Sequence, residues 1–137
     1  MLALLRSAFT ERGLRDQPNG ARTARLIRRT KEFLGATLSD RLQLAEISRA
    51  VGASPAYLTD VFSRVEGTPL HQYLIRLRLA RALVDLPHTD DLTALALDLG
   101  FSSHSHFSLV FRRAFGCTPS EFRTTTRRVA RPRAESL

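Results

Sequence analysis

Two short runs of polar side chains carry most of what this sequence could do chemically. Residues 103–108 are Ser-His-Ser-His-Phe-Ser, and residues 56–60 are Ala-Tyr-Leu-Thr-Asp. Imidazole, hydroxyl, phenol and carboxylate groups there offer hydrogen-bond donors and acceptors in close succession. They do not suggest a metal. On a helix, positions i and i+2 point about 200° apart, so His104 and His106 cannot share an ion, and no paired cysteine or carboxylate set completes a site. No nucleophile pairs with a base, and no glycine loop could cradle a phosphate, so an enzyme is not expected. Cys117 precedes Pro119 in a turn with no matched base, which argues against a catalytic thiol. As the only cysteine it excludes an intrachain disulfide and suits a reducing compartment. His71 and His88 have the character of surface residues. Neither a metal nor any other cofactor is expected.

Both polar runs must be held by helices, and the sequence indicates which. In LQLAEISRAVGASPAYLTDVFSRVEG, a short helix from Leu44 to Val51 breaks at Gly52, and Ser54 has the chemistry of an N-cap for a second helix. Leu58, Val61, Phe62 and Val65 recur there at i, i+3, i+4 and i+7, which leaves Ala56, Thr59, Asp60, Ser63 and Arg64 outside. In LTALALDLGFSSHSHFSLVFRRAFG the arrangement returns. A helix from Thr93 to Leu99 stops at Gly100, Ser102 and Ser103 offer caps, and Phe107, Val110, Phe111 and Ala114 are expected inside. Gly52 and Gly100 are 48 residues apart, while Leu58/Phe107, Phe62/Phe111, Gly67/Gly116 and Tyr73/Phe122 are each 49 apart. A repeat that preserves inward and outward faces points to two helix-turn-helix units.

Between them lies TPLHQYLIRLRLARALVDL, Thr68 to Leu86, which has helix composition and prolines only at Pro69 and just beyond its end at Pro87. Leu70, Tyr73, Leu74, Leu77 and Val84 gather on one side, and Ile75, Leu79, Ala82, Leu83 and Leu86 on roughly the opposite side. Two opposed apolar stripes need two cores, so this helix is expected to bridge two packed units. An ordinary helix buried in one larger core is the alternative. Ahead of the first repeat, a helix from Ala21 to about Thr37 turns Leu26, Ile27, Phe33 and Leu34 inward and a basic face outward. After the second repeat, Thr118-Pro119 opens a short helix with Phe122 inward and Arg123, Arg127 and Arg128 outward. Residues 1–20 are expected to be a partly disordered stub or linker, and residues 129–137 a disordered basic tail.

The 137 residues include 21 basic and 13 acidic side chains, a net charge of +8, and Lys31 is the only lysine. The excess lies at the ends: residues 1–40, 41–100 and 101–137 carry net charges of +4, −1 and +5. Such a balance favours polyanionic partners, since guanidinium forks match phosphate oxygens. No apolar run approaches a membrane span and no signal peptide is evident, so a cytoplasmic placement without membrane association is expected.

LALDLGFSSHSHFSLVFRRAFGCTPSEFR resembles the second helix-turn-helix of the arabinose-regulator (AraC/XylS) family of bacterial transcription regulators. The resemblance rests on the Gly100-Phe101 turn, on Ser-Leu-Val-Phe around Phe107 and Phe111, and on Gly116 to Arg123 as Gly-x-Thr-Pro-x-x-aromatic-Arg. LAEISRAVGASPAYLTDVFSRVEGTPLHQYLIRLRLARA resembles the first motif and its connecting helix, so the likeness covers about residues 22–128. It implies an all-α fold of about seven helices: one domain over residues 21–128, with motifs near 42–66 and 91–116 and a linker helix near 68–86. It also implies sequence-specific binding of double-stranded promoter DNA, with two recognition helices in successive major grooves and RNA polymerase as a candidate second partner.

Within that frame, base reading falls to Ala56, Tyr57, Thr59 and Asp60 on the first recognition helix, and to Ser103, His104, Ser105, His106 and Ser108 on the second. Hydroxyl and imidazole groups read base edges, Ala56 or Tyr57 can meet a thymine methyl, and Asp60 can accept from a cytosine amino group. Arg64, Arg112, Arg113 and Arg123 flank these faces and are assigned to phosphates, with Arg49 and Arg76 as weaker candidates. The chain departs from the family where Leu109 stands in place of a frequent arginine, and in the acidic Asp60. The leading 20 residues are too few to enclose a small-molecule effector, so no such site is expected, and the chain is expected to act as a monomer. The competing reading is a basic module that binds nucleic acid or membrane surfaces without regard to sequence.

Overall fold

A helix forms where the sequence supplies a cap, an apolar stripe and a residue that can end it. The computed structural model describes residues 20–38 and 41–131, and those residues form seven α-helices and one 3-10 turn, with no strand among them. In order they are α1 (Gly20–Ala36), α2 (Leu44–Val51), α3 (Pro55–Glu66), α4 (Leu70–Asp85), the 3-10 turn (Leu86–His88), α5 (Leu92–Asp98), α6 (His104–Phe115) and α7 (Pro119–Ala130). The all-α expectation is met. Expectations for residues 1–19 and 132–137 lie outside the described residues. Val129 and Ala130, expected in the tail, close the last turn of α7.

The chain divides into two compact units, and the boundary falls inside α4, between Leu77 and Arg78. In the first unit α1 packs on α2 and α3, and α2 packs on α3. Ile27 and Leu34 from α1, Leu58 and Phe62 from α3, and Leu70 and Leu74 from α4 are buried in one core. α2 opens on a capping box, in which the Gln43 N–H donates to Glu46 Oε2 at 3.3 Å. Phe62 meets Tyr73 edge-on, with ring centroids 5.2 Å apart. Two polar side chains sit inside with their hydroxyls satisfied, because that of Thr30 donates to the Leu26 carbonyl and that of Ser48 to the Leu44 carbonyl, each at 2.8 Å. Lys31 approaches Glu66 at 2.6 Å as an ion pair rather than an aligned hydrogen bond, and its ammonium lies 5.9 Å from the Tyr73 ring centroid. The Glu66 side chain is only 6% exposed, so this pair belongs to the core margin.

The second unit holds the rest of α4, the 3-10 turn and α5 to α7. Its core is built on rings. Phe101, Phe107 and Phe111 are fully buried and stack in series at 5.0 and 5.8 Å, and Phe122 meets Phe111 at 5.8 Å. The Phe111–Phe122 pair repeats Phe62–Tyr73 at the 49-residue offset seen in the sequence. Asp91 caps α5 by accepting from the Ala94 N–H at 3.0 Å, and Thr118 and Glu121 cap α7 reciprocally.

Three burial expectations need correction. Val84 is 60% exposed, although it belongs to an apolar stripe of α4. Each stripe is buried over only half the helix: Leu70 and Leu74 in the first half, then Leu79 and Ala82 in the second. Val84 continues the first unit's stripe into the half that serves the other unit. In α6, Val110 is half-buried and Ala114 exposed, whereas their α3 counterparts Val61 and Val65 are buried. Val61 and Val65 share their core with Ile27 and Leu34 of α1, a helix that packs on α3 and has no counterpart in the repeat.

Candidate nucleic-acid interface

The outer face of α3 follows from its cap and core. Ser54 Oγ accepts from the Tyr57 N–H at 3.3 Å and Pro55 occupies the first helical position, so the helix starts where the polar run starts. With Leu58, Val61, Phe62 and Val65 buried, Ala56, Tyr57, Thr59 and Asp60 are all exposed. Ala56, Thr59, Asp60 and Ser63 stand at i, i+3, i+4 and i+7 and form one stripe. The Thr59 hydroxyl donates to the Pro55 carbonyl at 2.6 Å, so it faces outward mainly as an acceptor. Asp60 pairs with Arg64 at 2.8 Å, both about 70% exposed, at 70% and 68%. Together these groups make an acceptor-rich surface with a methyl group beside it.

α6 repeats the design in different chemistry. Ser103 Oγ accepts from the His106 N–H at 3.0 Å, so Ser103 starts the helix, and its oxygen is already engaged. The His106 ring is held on two sides: Nδ1 lies 3.3 Å from Ser102 Oγ, and the ring meets Phe101 edge-on at 5.6 Å. Nε2 remains for an outside partner. Ser105 and His106 are exposed, and His104 and Ser108 are half-buried. His104 occupies the first helical position, opposite Pro55 in the repeat, and of the two imidazoles it is the less open.

The 49-residue register pairs Ala56 with Ser105, Tyr57 with His106, Thr59 with Ser108, Asp60 with Leu109, and Arg64 with Arg113. One exposed stripe therefore occurs on each helix. Leu109, half exposed, stands where α3 has Asp60, and the sequence reading left it out. The repeat spacing alone would have included it.

The arginines separate into two kinds. Arg112 and Arg113 are exposed, and Arg64 is exposed within its pair to Asp60. Arg123 is not free in the same way: its guanidinium donates to the carbonyls of Thr89 and Asp90 at 3.2 and 3.1 Å. One turn on, Arg127 donates to the carbonyls of Pro87 and Thr89 at 3.1 and 2.9 Å and pairs with Asp90 at 2.9 Å. Arg123 and Arg127, expected outward, instead tie α7 to the 3-10 turn and the residues just after it. Arg78, half-buried on α4, has its basicity lowered by burial, and its guanidinium packs on the Gly100 backbone.

A sequence model described as a helix-turn-helix domain matches residues 47–125. The regulatory protein PocR of Salmonella typhimurium is 32% identical over 98 residues, which cover 71% of this chain and 32% of that protein. The regulatory protein SoxS of the same organism is 34% identical over 93 residues, covering 67% of this chain and 87% of that protein. The chain thus spans about a third of the first relative and most of the second. Among solved structures, a Chromobacterium violaceum transcriptional regulator, described as an AraC-type DNA-binding domain-containing protein, superposes with a TM-score of 0.68 at 31% identity, over 78% of this chain and 94% of that one.

Proposed function

The chain belongs to the AraC/XylS family of helix-turn-helix transcription regulators, and from that premise we propose that it binds double-stranded promoter DNA in a sequence-specific way. α3 and α6 enter successive major grooves, with Ala56, Tyr57, Thr59 and Asp60 reading one site. Ser105, His106, Ser108 and Leu109 read the other, with His104 and Ser103 at its edge. The observation that carries this reading is the same open stripe on two capped helices, held in register 49 residues apart. The stripes differ in kind: acceptors and a methyl on α3, an imidazole, hydroxyls and an isobutyl group on α6. An asymmetric site of about two helical turns, bound by a monomer, matches that difference.

Arg64, Arg112 and Arg113 hold phosphates, while Arg123 supports the fold first and reaches the backbone only if its carbonyl bonds open. RNA polymerase is the protein partner that a regulator seated beside a promoter meets, and the cytoplasm is where both are found. No helix among the described residues is long and apolar enough to cross a membrane. The net charge of +8 favours one rival reading, a backbone binder indifferent to sequence. Duplexes selected from random DNA, compared with scrambled duplexes at fixed salt, separate the two. A preference of about a thousandfold or more supports base reading, and near-equal affinity overturns it.

A further inference from the structure

Beside the α3 stripe lies a surface pocket of about 280 Å³, of whose lining the proposed reading uses only Tyr57. Arg22, Arg25 and Arg29 of α1 line it, at the i, i+3 and i+7 spacing that brings side chains onto one face of a helix. Leu26 and Val51 supply apolar wall, and Tyr57 of α3 stands on the opposite side. All of these residues belong to the first unit. The three arginines are exposed, and among the described residues none is paired with a carboxylate. No acidic side chain lines the pocket.

Three unneutralised guanidiniums converging on a concave space repel one another unless an anion joins them. Guanidinium forks donate to the oxygens of a phosphate in pairs, and a phenol can add one more donor. The apolar wall is the complement of a sugar's carbon face. Tyr57 is shared between the pocket and the outer face of α3, so a phosphate held here adjoins the bases that α3 would read. We propose that this pocket is a seat for a phosphate ester, and that the DNA backbone flanking the α3 site supplies it. The proposal rests on the DNA-binding reading and assigns a role to α1, a helix outside both helix-turn-helix motifs.

The test compares the chain with its Arg25→Gln/Arg29→Gln variant on a selected duplex and a scrambled one across a salt series. Losing two phosphate contacts lowers the salt slope by about 1.8 and the affinity at 0.1 M salt by about sixtyfold, equally on both duplexes. Arg25→Lys/Arg29→Lys restores most of the slope, since point charges suffice for counterion release. Arg28→Gln, on the same helix but outside the pocket, leaves the slope in place. In a second arm, inorganic pyrophosphate is added and thermal unfolding is followed. Protection of the parent but not the variant, with unchanged DNA slopes, would assign the seat to a free anion and overturn the DNA assignment. Unchanged slopes and no protection would overturn the seat altogether. Failure of the underlying reading looks different: the parent chain itself would not distinguish the two duplexes, whatever the slopes.

Discussion

Replacing Asp60 by Asn changes one charge on the α3 stripe and almost nothing in shape. In the free protein the carboxylate pairs with Arg64 at 2.8 Å, and both groups are about 70% exposed, at 70% and 68%. An exposed i,i+4 pair of this kind contributes only about 0.3–0.5 kcal/mol, so thermal unfolding shifts by roughly 2–3 °C. Binding responds in two opposite ways. Arg64 holds its phosphate only in part while the carboxylate competes for it; released, it holds the phosphate fully, which steepens the salt slope by up to about 0.9 and raises affinity for any duplex by up to about eightfold at 0.1 M salt. At the same time the acceptor for a cytosine amino group is lost. Discrimination at that base pair then falls by about 1–3 kcal/mol, or roughly 5- to 150-fold. The assay is fluorescence anisotropy on a selected duplex, its single-base variants and a scrambled duplex, each at several salt concentrations. Tighter scrambled binding together with flatter base preference is the expected signature. An unchanged slope and an unchanged preference would refute both roles given to the pair.

Arg112→Ala should flatten the salt slope by about 0.9 on every sequence, measured by the same titration, while leaving thermal unfolding nearly unchanged. Arg127→Met should do the reverse: its bonds to Pro87, Thr89 and Asp90 hold α7, so a loss of about 1–3 kcal/mol in denaturant unfolding is expected with the slope intact. Gly100→Ala should destabilise more than Gly52→Ala. Both sites have positive φ, at 87° and 75°, but a Cβ at Gly100 would lie 2.7 Å from the Arg78 guanidinium, whereas that at Gly52 meets open space. Urea unfolding of the two variants orders them. Tyr73 supplies a pH dependence. Burial raises its pKa above the ordinary 10.0, Lys31 opposes that shift and Glu66 adds to it. The folded state therefore holds the phenol proton longer than the unfolded state, and Tyr73's contribution is intact below pH 10 and fades as pH rises above it. Stability of Tyr73→Phe should decline less steeply over that alkaline range.

Much of the fold could be read before any coordinates, for a physical reason. Ser54 and Ser103 cap, glycines end the hairpin helices, and apolar residues recur at helical spacing; each of these signals is local. What the sequence hid was contact between distant segments. Nothing near Arg123 or Arg127 shows that carbonyls 33 to 40 residues earlier will take their guanidinium protons. Val84 and Ala114 were expected inside from residue type and helical spacing, and what decides their exposure is which neighbouring helix is present. Thr30 was missed among the core residues because its hydroxyl bonds within its own helix, a device that a hydropathy pattern ignores. The reading stripes were legible because the repeat prints them twice. The phosphate pocket was not, because it forms only when α1 lies against the turn between α2 and α3.

Lys31 is the sole source of an ε-amine in the chain, and its side chain is 27% exposed, set between Glu66 and the face of Tyr73. Amine-directed reagents therefore have one internal target, and it is guarded by the first unit's own packing. The pair with Glu66 and the Tyr73 face slow acylation there, and an excursion that lifts α1 away from the end of α3 speeds it, so its rate becomes a clock for such openings. The arginines, inert to such reagents, add no background to that clock.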